Sequence, residues 1–350
     1  MTRAALIRLL VPIVLLSTGC GDSGMAPGNG RPAAKSADKP DESTVEVQGL
    51  PEKVTARAVH DALRRLNRGY KSDGNLFFQE GTLDEDVEGT LTAVSLTNTD
   101  VKDLRPLAGQ KLVGLEITGT GVRDLSALAG MPLQQLLAQR TPVHDLSPLE
   151  GMKLQMLDLE YTKVADLEAL RGMPLAQLFL EGTYVRDLAP LAGMPLEALS
   201  LNKTNVRSIE ALAGAPLVEL RLLGTHVSDI GPLAGAPLEQ LWLNESPVTS
   251  IDALRGAPLV SLTLHRTKVA DLSALAGSRL QRLHIAETAV TDLTPLHDLP
   301  LTRLLFSPGK IESGMETLRQ IPTLRQMGVS FDQQLAPAEF WRRLDSGELE

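Results

Sequence analysis

One cysteine, Cys20, stands in 350 residues. A single thiol closes no disulfide within the chain and supplies no cysteine-based zinc site. Aromatic residues make up only 3% of the composition and tryptophan occurs twice, so any core must be built from Leu, Val, Ile and Ala. The apolar run LLVPIVLL at 9–16 falls well short of the ~20 residues a helix needs to cross a bilayer. An excess of positive charge is also missing. The formal net charge is −9, which leaves no electrostatic reason to bind nucleic acid. The six histidines contain no HxxxH pair and have no cysteine partners, so no metal site is expected. Kinase signatures of the HRDxxxxN and DFG type are absent. GDSG at 21–24 has no His and Asp that can be argued to face it. DEDVE at 84–88 lacks the spaced ligands and bend glycine of a calcium loop and reads as a solvated face. With no nucleophile–base set in view, the chain reads as a non-enzyme without a cofactor.

The N-terminus has the layout of an export signal: Arg3 and Arg8, then the short apolar run, then small residues before Cys20. STGC at 17–20 resembles the lipobox of bacterial lipoproteins, in which the cysteine becomes the lipidated first residue. Ser17 stands where Leu is usual, three before the cysteine, and Leu16 is one place early. Plain secretion, or a signal retained in the membrane, is the alternative. The segment that follows is rich in Gly, Pro, Ala, Ser and charge. It cannot bury enough apolar area to order itself and reads as a tether.

Internal repetition dominates the rest. Leu112, Leu133, Leu154 and their successors to Leu301 recur every 21 residues. Parallel registers run from Val94 to Leu304 and from Val101 to Val290. The unit is PLxxLxLxxTxVxDLxxLxGx, in eleven copies. LxLxx has the period of two that suits a short strand with one face inward. The DLxPL and DLxAL segments suit a tight helical turn, with the Asp column (Ser208 and Ser250 in two copies) positioned to cap free N–H groups. A threonine column, with Ser246 as its one exception, keeps a hydroxyl throughout, as expected for satisfying buried backbone between coils. A glycine column supplies the turn back to the next strand.

These spacings resemble the leucine-rich repeat family, in the short-repeat form of bacterial internalin-like proteins. The resemblance implies an α/β repeat solenoid: a curved right-handed coil with a parallel β-sheet on its concave side and short turns or 3₁₀ segments on its convex side. That family usually has Asn where this chain has Thr, so the hydroxyl is expected to do part of the work of an Asn ladder. The expected organisation is a signal peptide at 1–19, lipidated Cys20 with a flexible tether at 20–43, an N-terminal cap at 44–90, the array at 91–311 and a helical C-terminal cap at 312–350. Solenoid ends need covers. Residues 51–69 carry apolar positions Val54, Ala58, Val59, Leu63 and Leu66 at helical spacing, and NLFF at 75–78 can add a strand. At the other end, 314–330 and 337–347 read as short helices, and Phe331, Phe340 and Trp341 suit an apolar plug.

Period two turns the residues after the core leucines outward. One outward column runs Ser95, Glu116, Leu137, Asp158, Phe179, Ser200, Arg221, Trp242, Thr263, His284, Leu305. The next contains Glu160, Glu181, Leu223 and His265. Aromatic and Arg anchors are typical of binding hot spots, so Asp158, Phe179, Arg221, Trp242, His265 and His284 are the expected ligand-binding residues. The reading is a non-enzymatic protein-binding module, exported and held in the cell envelope by a lipid anchor alone, periplasmic or on the outer surface, and monomeric. A polysaccharide or cell-wall ligand stacked on Trp242 and Phe179 is the alternative.

Overall fold

The computed structural model describes residues 49–349 apart from residue 82. The expected signal peptide, Cys20 and tether lie outside the described residues. A cap opens the described chain, with strand β1 (Lys53–Val54), helix α1 (Ala56–Leu66) and strand β2 (Asn75–Phe78). Strand β3 (Gly89–Ser95) starts a parallel ladder that continues through β4 (Gly114–Glu116) to β13 (Arg303–Leu305), one three-residue strand per coil. Helix α2 (Met315–Arg319), strands β14 (Gln326–Gly328) and β15 (Gln334–Leu335) and helix α3 (Pro337–Asp345) close the other end. This is the leucine-rich repeat solenoid that the spacing implies.

One coil shows why the pattern folds this way. Leu238, Leu241, Leu243, Val248, Ile251 and Leu254 are all buried at 1% exposure or less. Removing each such side chain from water is worth about 1.5–3 kcal/mol, and every coil contributes an equivalent set. The strand β10 (Gln240–Trp242) pairs on both sides in register, Leu241 opposite Leu220 and Leu262. A 3₁₀ turn follows at Asp252–Leu254. Equivalent turns recur from Arg105–Leu107 to Thr294–Leu296.

The Asp column caps these turns from one place earlier than an N-cap. Each Asp side chain accepts a hydrogen bond from the N–H two residues on, at 2.7–2.9 Å in eight coils. Ser208 and Ser250 accept the same bond at 3.3 and 3.1 Å. The motif is a side-chain turn in which a short acceptor substitutes for backbone. The column glycines from Gly109 to Gly277 have φ of 70–79°, a region that costs other residues about 1–2 kcal/mol. Where the column lacks glycine, Asp298 occupies it at φ 61°.

The hydroxyl column departs from expectation. Eight threonines and Ser246 donate to the carbonyl three residues earlier in the same coil, at 2.6–2.8 Å. A hydroxyl is too short to reach the neighbouring coil as an Asn side chain would. It closes its own bend, and backbone N–H groups make the links between coils, as from Leu243 to the Thr263 carbonyl at 2.9 Å.

The first cap combines strand and helix. Val54 lies in β1, antiparallel to β3, and not in the helix. Thr55 accepts from Ala58 N–H at 3.1 Å and starts α1 at residue 56. Val59 and Leu63 are fully buried. Asn67 then ties the cap to the first coil: its Oδ1 accepts from the N–H groups of Lys102 and Asp103 at 2.7 and 2.8 Å, and its Nδ2 donates to the Asp103 carbonyl at 2.9 Å. The exposed 84–88 run meets Arg57 of α1, whose Nε lies 2.8 Å from Asp86. At the far end β14 adds a twelfth parallel strand, Met327 opposite Leu304, within a segment that reads as helix from sequence. Phe340 is fully buried against Phe306, with ring centres 5.6 Å apart. Trp341 is half-buried under Arg319, 4.2 Å from the ring centre. Phe331 does not join this plug; it is 51% exposed on the sheet side.

Candidate interaction face

The outward column forms one continuous ladder. Asp158, Phe179, Ser200, Arg221, Trp242, Thr263, His284 and Leu305 are paired strand to strand in that order, and Leu305 lies opposite Gly328. Period two therefore places Trp242 on the concave face, as its sequence position implies. The ladder spacing of about 4.8 Å is smaller than an indole or a guanidinium, so large side chains lean over their small neighbours. Ser200, between Phe179 and Arg221, is fully buried, and Thr263, between Trp242 and His284, is 6% exposed. Phe179, Arg221 and Trp242 are half-buried, while Asp158 and His284 are buried. The column is a packed strip and not a row of freely displayed groups.

Two clusters divide the strip. In the acidic one, Gln139 Nε2 donates to Asp158 Oδ2, and the Glu160 N–H donates to Asp158 Oδ1 at 3.1 Å. Burial raises the Asp158 carboxyl against these bonds. Burial, then repulsion from Asp158 and Glu181, pushes Glu160 up to about 7. Burial pushes Glu181 up as well, but hydrogen bonds from Tyr161, Asn202 and Lys203 outweigh it and hold the group below its usual range.

In the second cluster the Arg221 guanidinium lies over the Trp242 ring, 5.0 Å from its centre, and is paired to Glu219 at 2.6 Å. His265 stacks on His284, ring centres 4.7 Å apart and planes within 15°. His265 Nε2 is 3.2 Å from Glu287 Oε1. His284 meets Phe331 edge-on at 4.8 Å. Burial, then the charge of His265, holds His284 down at about 4, so its imidazole is neutral at pH 7. A recess of ≈ 320 Å³ opens here, lined in part by Trp242, Thr263, Arg282, His284, Arg303 and Phe331.

Buried polar atoms without a hydrogen-bond partner collect on this strip. Ser200 Oγ, Arg221 Nε, Asn244 Oδ1, Thr263 Oγ1 and both ring nitrogens of His284 are of this kind. Native interiors leave few such groups, and each calls for an explanation.

All six residues expected from sequence lie on one face, but not in one cluster. Asp158 belongs to the acidic end, and Arg221, Trp242, His265 and His284 to the other. Phe179 lies between them, one strand from Asp158 and two from Arg221. Three contributions are not in the sequence reading. The residue before each core leucine shares the outward face by the same period of two, and this column supplies Glu219, Arg282 and Arg303. Phe331 arrives from beyond the repeats. A third line of residues, one per coil at positions 98, 119, 140 and onward to 287, has φ of 53–69°, yet only three of the ten are glycine. Here Arg140 and Lys203 flank the Tyr161 ring at 5.7 and 6.0 Å, and Arg266 bridges Glu287 at 2.9 Å and Glu245 at 3.5 Å. Among the described residues no helix is long and apolar enough to cross a membrane, and no His, Cys, Asp or Glu group is arranged to hold a metal ion.

The chain matches no protein-family model and no curated protein sequence. Solved structures do resemble it. An internalin of Listeria monocytogenes, inlF, superposes with a TM-score of 0.63 at 20% identity, over 78% of this chain and 87% of that one. An internalin C2 of the same species gives 0.46 at 21% identity, over 69% of this chain and 98% of that one. A leucine-rich repeat protein of Bacteroides eggerthii gives 0.49 at 14% identity, over 65% and 46%. The chain thus shares with the first of these the leucine-rich repeat solenoid fold.

Proposed function

We propose that this protein is a non-enzymatic binding module that presents its concave face to a protein partner, and that a lipid on Cys20 holds it in the cell envelope. The observation that carries the reading is the concentration of half-buried Phe179, Arg221 and Trp242 and of unpartnered buried polar atoms along one strip of the sheet. Aromatic and Arg side chains supply anchoring area, and shifting them to admit a partner would open the orphaned atoms beneath to its polar groups. A polysaccharide stacked on Trp242 is less well supported, because the Arg221 guanidinium already lies over one face of the indole. The test is Phe179→Ala combined with Trp242→Ala, with binding measured against whatever protein co-purifies with the mature chain. The double variant is expected to keep its fold and lose the partner. Wild-type binding by the variant overturns the concave-face reading. For the anchor, Cys20→Ser is expected to shift the protein from the membrane to the soluble fraction, and an unchanged membrane fraction refutes it.

A further inference from the structure

The recess at the C-terminal end of the strip has a chemistry of its own within an acidic chain. Arg282 and Arg303 stand opposite each other on adjacent strands β12 (Arg282–His284) and β13. Among the described residues neither is paired to an acid. Arg303 donates through Nε to the neutral amide oxygen of Gln326 at 2.7 Å, and Arg282 is exposed. Two neighbouring guanidinium groups without counter-charges suit a carboxylate, which each can engage through a fork of parallel N–H donors. Beside them the cavity changes character. Trp242 and Phe331 wall it, and the edge-on Phe331 and His284 rings form one side. The His284 nitrogens and the Thr263 hydroxyl are buried in its lining without partners. The neutral His284 adds no positive charge to this part. A volume of ≈ 320 Å³ lies at the small end of the roughly 300–1,000 Å³ typical of ligand pockets, which suits a large side chain and not a whole folded element.

We propose that this recess receives a bulky apolar side chain flanked by a carboxylate, from an acidic segment of a protein partner, with Arg282 and Arg303 holding the carboxylate and Trp242 and Phe331 clasping the side chain. The proposal rests on the concave-face reading above and narrows it to one end of the strip. It assigns the partner a local charge that the net −9 of the chain would not suggest. Phe331 reaches the recess because the chain turns sharply after β14. A Cβ on Gly328 would lie 2.0 Å from the Gln333 carbonyl oxygen, so only glycine allows the 329–333 loop to fold back across the sheet.

The test is selection of a random displayed-peptide library on the whole protein, followed by titration of the enriched peptides by calorimetry. Enriched sequences are expected to place Asp or Glu next to Phe, Trp, Leu or Met. Arg282→Glu with Arg303→Glu should weaken them at least tenfold, and Phe331→Ala should do the same. Arg171→Ala, at the exposed end of a 3₁₀ turn and off the sheet, should leave them unchanged. Because Arg282 and Phe331 are exposed, these variants leave the core intact, and circular dichroism checks it. Enrichment of basic or neutral peptides, or tight binding that survives the double Arg variant, overturns the proposal. Peptides that respond to Phe179→Ala and not to the Arg variant overturn it while the wider concave-face reading stands. Peptides indifferent to every concave substitution overturn both. Binding of an acidic polysaccharide such as polygalacturonate in place of any peptide refutes the peptide assignment.

Discussion

Thr267 differs from the other hydroxyls of its column in one bond. Its Oγ1 is buried with no partner, whereas Thr225 Oγ1 donates to the Leu222 carbonyl at 2.8 Å. Thr225→Val is therefore expected to cost about 1 kcal/mol in chemical denaturation, the net worth of a buried hydrogen bond. Thr267→Val should be neutral or stabilising, because it removes an unsatisfied group. Equal losses at both sites would show that the column acts through shape and not through the bond. Ionisation supplies a second contrast at this scale. Glu160, raised from 4.5 to about 7, keeps its proton longer folded than unfolded, so its contribution makes stability fall as pH rises from about 4.5 to 7. His284, lowered from 6.5 to about 4, takes up a proton more readily when unfolded, so its contribution is lost as pH falls from 6.5 to about 4. The two slopes oppose each other across the overlapping window. Glu160→Gln should remove the loss above pH 5 and leave stability rising with pH, whereas His284→Phe should leave it falling. Denaturant midpoints measured from pH 4 to 8 check both. A wild-type profile unchanged in either variant refutes the assignment.

At the scale of the element, each coil is a strand, a left-handed residue, a hydroxyl-closed bend, an acid-capped 3₁₀ turn and a left-handed glycine. A Cβ on Gly256 would meet nothing within 4 Å, so Gly256→Ala should cost only the backbone strain at φ 77°, about 1–2 kcal/mol. Gly314→Ala is a different case. Its Cβ would lie 2.4 Å from the Thr294 nitrogen and 2.6 Å from the Leu293 carbonyl carbon, so α2 must leave its seat on the last coils. Thermal unfolding is expected to rank Gly314→Ala well below Gly256→Ala, and the reverse order would refute the steric argument. The turn positions were largely legible in advance, because Asp, Ser and Gly each have a local chemical reason to stand where they do. The second left-handed line was not. Tyr161, Lys203 and Glu245 have no intrinsic preference for positive φ, and the surrounding ladder of hydrogen bonds imposes it on them.

For the molecule as a whole, burial is shared between neighbouring coils, so stability is a sum of coil and interface terms and both ends must be closed. Asn67 carries much of one closure, since it answers two N–H groups and one carbonyl at the start of the array. Asn67→Ala strands those groups, each worth about 1–3 kcal/mol when buried and unpaired. It should unfasten the cap: amides of α1 are expected to exchange with solvent far faster while those of the central strands keep their protection. Uniform loss of protection along the chain would show that cap and array unfold as one unit.

Repetition made the solenoid readable, because eleven chemically equivalent copies report the same inward positions and local periodicity alone assigns each residue a face. Trp242 could be placed outward on that basis. Which outward residues meet was another matter. The covering of Ser200 and Thr263, the His265–His284 stack, the return of Phe331 over Gly328 and the joining of Arg282 and Arg303 beside Trp242 depend on side chains from different coils. Spacing along the chain says which face a residue takes. Only the stacking of coils, and a cap that lies outside the repeat, sets what stands next to it.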